Sequence, residues 1–184
     1  MKKLPSLLLV LLLAACGTLP VKYEAQNYYR IPEGTKKQLS VGKFIYEPAE
    51  KGGLAANQVH NTALGRIYVS ANLADFVKRA TALELEKSGF DLSDSSTTKI
   101  EGDVIDFTTD DLGFSVDWKY KIKYRILDTA ENKTIFEKVY DADPTTTGKF
   151  GLAQDFSPSA NELILSAYDK FVRDPQVKAA LLGE

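Results

Sequence analysis

The sequence predicts an α+β domain: a mostly antiparallel sheet with two main helices packed on one face, in the order β-α-β-β-β-α. Three stretches carry this reading. "DWKYKIKYRILD" (117–128) alternates Trp118, Tyr120, Ile122, Tyr124 and Ile126 against Lys119, Lys121, Lys123 and Arg125, the period of a strand with one wet face. "ANLADFVKRATALELEKSGF" (71–90) repeats Leu73, Phe76, Val77, Ala80 and Leu83 at helical spacing, and Ala160, Leu163, Ile164, Ala167 and Phe171 do the same after Ser157-Pro158. An antiparallel sheet can bury one face under helices and leave the other in water, which suits this pattern.

The elements follow in order. "MKKLPSLLLVLLLAAC" begins with two lysines and an apolar run, Leu7 to Ala15, that is too short for the roughly 20 residues a membrane-spanning helix needs. It has the size of a signal-peptide core, so residues 1–15 are read as an export signal. The run ends in Leu13-Ala14-Ala15-Cys16. Cys16 is the chain's one cysteine and has no disulfide partner, so an exported free thiol there would be a liability.

Residues 16–38 are expected to form a tether, with Pro20, Pro32 and Gly34 and no sustained period; about 22 residues could reach roughly 70 Å extended, or about 25 Å as a flexible coil. Within it, Tyr28 and Tyr29 of "NYYRIP" are candidates to pin its end to the domain. Residues 39–184 then form a single domain. "LSVGKFIYEP" (39–48) is a strand stopped by Pro48, residues 49–65 read as a loop, and "RIYVS" as a brief strand. Ser70 or Asn72 can cap the first helix, and Gly89 can close it with Phe90 folding back. "TKIEGDVIDFT" (98–108), "DWKYKIKYRILD" and "TIFEKVYDA" (134–142) are three further strands, the last two joined by the turn "TAENK". Ser159 and Glu162 offer a capping box for the second helix, and "DPQVKAALL" a short terminal one.

Two resemblances attach to these stretches. Leu13-Ala14-Ala15-Cys16 resembles the lipobox of bacterial lipoproteins, which implies a diacylglycerol thioether on Cys16, cleavage before it, and usually acylation of its new amino group. Gly17, in place of the Asp that retains enteric lipoproteins at the inner membrane, implies the outer membrane with the domain facing the periplasm. From about Arg66 onward the element order resembles the YajG-like family of outer-membrane lipoproteins, on "ANLADFVKRATALELEKSGF", "DWKYKIKYRILDTAENKTIFEKVY", "TTTGKFGLAQDFSPSANELI" and "DPQVKAAL". The lipobox with "NYYRIP" also looks like the start of the ABC-transport auxiliary lipoproteins of the PqiC kind. The first implies an envelope lipoprotein with no catalytic residues to carry over; the second implies assistance in moving lipid between membranes.

The residues themselves point to binding or assembly rather than catalysis. Cleavage would remove Lys2 and Lys3 and take the formal charge from −2 to −4, which does not recommend nucleic acid. His60 is the one histidine, and no G-x-S-x-G elbow supports a hydrolase. "TTTGKF" has Asp143 and Phe150 where a phosphate loop needs Gly and Ser or Thr. Asp106, Asp110 and Asp111 lack calcium-loop spacing, and Asn132-Lys133-Thr134 reads as a hairpin turn. No cofactor or metal is expected. The expected partners are the membrane, through the lipid, and an envelope protein, with a lipid ligand as an alternative. The candidate partner surface is Lys119, Lys121, Lys123 and Arg125 with Phe150 and Phe156 of the long loop 143–156. Against it, Glu101, Asp103 and Glu137 on neighbouring strands favour a neutralised face for the cations, and the two phenylalanines are expected to tuck inward.

Overall fold

A computed structural model describes residues 18–26, 29–32, 37–63, 65–148 and 156–182. The central pair is β5 (Thr98–Asp110) and β6 (Ser115–Asp128), antiparallel along their whole length. On one side β5 accepts β1 (Gln38–Tyr46) and, further along, β2 (Gln58–Asn61), both parallel to it. On the other side β6 accepts β7 (Lys133–Asp141) and then β8 (Thr145–Gly148), both antiparallel. Two-residue strands β3 (Ile67–Tyr68) and β4 (Asp91–Leu92) extend β2 and β1. The sheet is therefore mixed, although its longest ladders are antiparallel. Parallel pairing of β1 with β5 requires a long crossover, which α2 (Leu73–Ser88) supplies.

α2 and α3 (Phe156–Arg173) pack on one face of the sheet, and α4 (Pro175–Leu182) follows at the end of α3; α1 (Glu47–Glu50) is a single turn after β1. The alternation of β6 sorts as the sequence predicts: Trp118, Tyr120, Ile122, Tyr124 and Ile126 are buried beneath the helices. Phe171 stacks on Tyr124 with ring centroids 4.4 Å apart, and Phe156 meets Trp118 edge-on at 5.1 Å. Asn72 caps α2 by accepting the backbone N–H groups of Ala74 (2.9 Å) and Asp75 (3.3 Å). Gly89 closes the helix at φ 102°, and Phe90 N–H bonds back to Leu85 O.

Four local expectations are corrected. Loop 49–65 contains α1 and β2. The 143–156 loop contributes β8, which extends the sheet beside β6. α3 starts at Phe156, so Ser159 and Glu162 lie inside its first turns rather than at its cap. Leu83 is 40% exposed, whereas Thr81, Glu84, Leu85 and Ser88 are buried. The buried stripe of α2 keeps turning toward polar residues because polar partners await them there.

Those partners include the stretch expected to be a tether. The chain arrives at Leu19, which forms a parallel bridge to Val69, with Leu19 N–H bonding Tyr68 O (2.7 Å) and Ser70 N–H bonding Leu19 O (2.8 Å). It then lies between α2 and α3. Asn161 donates to Lys22 O at 3.0 Å, Lys87 to Ala25 O at 3.0 Å, and Ile31 N–H to Ser88 O at 2.9 Å. Tyr23 and Ile31 are buried. Tyr29 sits beneath the cations Arg173 and Lys178, as expected of a pin; Tyr28 lies outside the described residues. The reach estimated for a free tether therefore does not apply beyond Leu19, because from there the chain is a strap on the domain.

Candidate functional site

The open face of the sheet carries the cation row. Three of its members meet carboxylates on the flanking strands, as their registers dictate. Arg125 binds Asp103 through two hydrogen bonds, 2.6 and 2.7 Å, with Glu101 3.6 Å away. Lys123 reaches the same Asp103 at 3.0 Å and Glu137 at 3.9 Å, and Lys121 pairs with Asp141 at 3.0 Å. Asp103 is buried, which by itself raises its pKa. Hydrogen bonds and charge from Arg125 and Lys123 more than offset that and hold the carboxyl below the usual range. The Asp103 hydrogen bonds in turn raise the Arg125 pKa, against the opposing effect of burial. Lys119 is exposed and forms no ion pair among the described residues. The row is mostly neutralised within the sheet, so its net field is weak.

His60 lies on the same face at the end of β2. Its Nδ1 is 3.3 Å from Thr108 Oγ1, and Thr108 Oγ1 donates to Asp106. Because a threonine has one hydroxyl proton and Asp106 receives it, His60 can only donate to this oxygen. Tyr46 is buried beside this group, and burial followed by the Asp106 charge raises its pKa. A shallow cleft of about 220 Å³ opens where β7 gives way to β8, lined by Asp106, Lys119, Lys121, Asp141 and Pro144 among others. Its charges alternate in sign. Among the described residues no group of three or more His, Cys, Asp or Glu side chains could hold a metal ion.

A second polar cluster, illegible in the sequence, lies under the strap. Glu84 on α2 is fully buried; Tyr23 Oη donates to its Oε1 at 2.7 Å and Gln26 N–H to the same oxygen at 2.9 Å. Burial, followed by the bond to Glu84, raises the Tyr23 pKa strongly. Nearby, Ser88 bonds Glu84 O (2.7 Å) and shares a hydrogen with Tyr168 (3.0 Å), while Thr81 and Tyr124 are 3.2 Å apart. The i, i+3, i+7 recurrence of Thr81, Glu84 and Ser88 beside the apolar stripe was the available signal. It reads as a solvated helix flank unless the strap is known to cover it.

The third feature is apolar. At the β5–β6 turn Phe114 is fully exposed and Leu112 is 65% exposed, on either side of Gly113 at φ 84°. The sequence stretch "TTDDLG" reads only as an acidic turn; the apolar pair bracketing its glycine was the missed signal.

The sequence-named candidates thus scatter. Lys119, Lys121, Lys123 and Arg125 share one face. Phe156 is withdrawn from the partner surface because it is buried against Trp118. Phe150 and Cys16 lie outside the described residues. Among the described residues no helix is long and apolar enough to cross a membrane.

No protein-family model and no curated protein sequence matches the chain. Solved structures do share its fold. Protein XCC0632 from Xanthomonas campestris, of family DUF330, superposes with a TM-score of 0.65 at 11% identity over 89% of this chain and 97% of that one. The hypothetical protein CT253 from Chlamydia trachomatis gives 0.52 at 10% identity over 82% and 100%. A minor lipoprotein from Acinetobacter baumannii gives 0.46 at 14% identity over 77% and 94%. The first two matches are likenesses of fold, and they do not single out the YajG-like arrangement.

Proposed function

We propose that this chain is a bacterial envelope lipoprotein, anchored through acyl chains on Cys16 to the periplasmic face of the outer membrane, and that it serves without catalysis as a binding or assembly accessory. The observation that carries this reading is the placement of the chain entry. The lipobox-like Cys16 stands three residues before Leu19, where the chain docks onto the domain. Three residues span at most about 11 Å, so a lipid on Cys16 would hold the folded domain at the bilayer surface. Several acyl chains on one residue meet the two-signal requirement for stable anchoring.

The reading as an auxiliary of an ABC-type lipid-transport system rests on the likeness of the lipobox and "NYYRIP" to the start of such lipoproteins. It is kept as the second reading, since the clefts of the described surface are shallow and mix charged side chains such as Asp106 and Lys119 with apolar ones such as Trp118 and Pro144, rather than forming one apolar groove.

Mass spectrometry of protein purified from its native host tests the anchor: the expected N-terminus is a diacylated or triacylated Cys16, and an unmodified thiol or an uncleaved signal refutes it. Cross-linking in intact cells is expected to capture a recurrent protein partner. Solvent extraction of the delipidated protein separates the two roles, because bound phospholipid supports the transport reading and its absence supports the accessory one.

A further inference from the structure

The β5–β6 turn presents two apolar side chains that no described residue covers. Phe114 is fully exposed, and burial ordinarily draws this side chain inward. Its position relative to the chain entry suggests what covers it. β5 runs toward the turn, and β2, parallel to it, pairs Asn61 with Thr109 just before the turn. β3 runs back from that end, antiparallel to β2. Leu19 bridges Val69 in the same direction as β3, so the chain comes to Leu19 from the end of the sheet that bears Leu112 and Phe114. The described chain at Leu19 thus points back toward the end with the exposed apolar tip, and the proposal takes the anchor to lie on that side.

The charge around the tip narrows the surface it fits. Asp110 and Asp111 precede it and Asp117 follows it, and Asp110 accepts the Leu112 N–H at 3.1 Å. This collar of carboxylates opposes an anionic surface and tolerates a zwitterionic one. The geometry points to the Leu112–Phe114 tip as a second membrane contact, inserting its two side chains at the headgroup–acyl boundary of a zwitterionic leaflet beside the lipid on Cys16. The proposal rests on the anchored reading above. It makes the hairpin an orienting device, since one flexible lipid fixes distance but not rotation and a second point of contact fixes both.

The test uses the full lipidated chain reconstituted in phosphatidylcholine vesicles carrying brominated acyl chains. Trp118, the chain's one tryptophan, is buried and supplies the background emission. Phe114→Trp at a fully exposed position should leave the urea midpoint unchanged and report the tip directly. The expected result is quenching several-fold stronger than in the wild type, with no gain when phosphatidylglycerol is added. Quenching equal to the Trp118 background, in protein that floats with the vesicles, overturns the proposal. So does a blue shift of the new tryptophan that grows with protein concentration in the absence of lipid, which would assign the tip to a second copy of the chain. A Cys16→Ser chain lacking residues 1–15 reads the anchor separately. Loss of flotation supports the anchored reading whatever the tip does. Undiminished flotation refutes that reading while the bromine signal still decides the tip.

Discussion

Removing one oxygen atom should loosen the strap. Tyr23→Phe deletes the hydroxyl that donates to the buried Glu84 carboxyl at 2.7 Å, while the ring's edge contact with Phe76 (6.3 Å) is kept. Gln26 N–H still reaches the same oxygen, so the carboxyl keeps a bond to the strap. A hydrogen bond of this kind, to a group with no path to water, is worth about 1.5–3 kcal/mol. In a domain of this size that corresponds to a fall in melting temperature of about 3–12 °C, at roughly 2–4 °C per kcal/mol. The loss should concentrate locally, because the strap can lift while the sheet stays folded. Urea denaturation checks the first part, and limited trypsin digestion after the exposed Lys22 checks the second. Cleavage at Lys22 should accelerate more than global unfolding does. A variant within about 0.5 kcal/mol of the wild type, with an unchanged cleavage rate, would refute the claim that Glu84 holds the strap.

Gly102→Ala should destabilise by about 1–3 kcal/mol, because the added Cβ would fall 2.4 Å from Phe44 Cε1; Phe44→Leu in the same chain should recover part of the loss, read as a double-mutant coupling in urea. Phe156→Ala should cost about 3–5 kcal/mol and alter the near-ultraviolet circular dichroism of Trp118, its ring neighbour. Acid should destabilise the fold in a defined window. Asp103 and Asp174 are both buried, which raises their pKa values. Hydrogen bonds from Arg125 and Lys123 to the first, and from Lys138 and Tyr140 to the second, outweigh this and depress them. Depressed carboxyls contribute fully above the unfolded value of about 3.9 and lose that contribution as pH falls through the folded values. The urea midpoint should therefore be insensitive to these two groups above about pH 5 and drop below about pH 4, with the drop reduced in Asp103→Asn.

Much of the architecture was legible because its signals are local. The period of two in 117–128 placed five side chains inside and four outside, and the caps at Asn72 and Gly89 follow from residue chemistry within one turn. The carboxylate partners of the cation row were also foreseeable, since neighbouring strands had to bring Asp103 and Glu137 alongside. What failed depends on distant segments. Leu83, expected in the buried stripe, is exposed and its neighbour Glu84 is buried, because a strap about sixty residues upstream covers one and not the other, and helical periodicity carries no information about such a cover. β2 and β8 are too short to show a period, and they exist because β5 and β6 offer free edges. Phe114 illustrates the opposite failure: an apolar residue in a turn is assumed to fold inward, and here no helix or loop among the described residues reaches it.

The parallel pairing of β1 with β5 has a consequence for how the chain reaches its final form. A chain released from its N-terminal end presents Gln38–Tyr46 long before Thr98–Asp110 exists to receive it. Until then a β-rich edge with Leu39 and Phe44 stands unpaired, an invitation to self-association. The β5–β6 hairpin, whose strands are contiguous, can close first and act as the template onto which the earlier strand later anneals. Handling during synthesis, rather than final stability, is then the step at which lesions in β1 should do most harm, and a holdase that shields the first sixty or so residues would be the remedy.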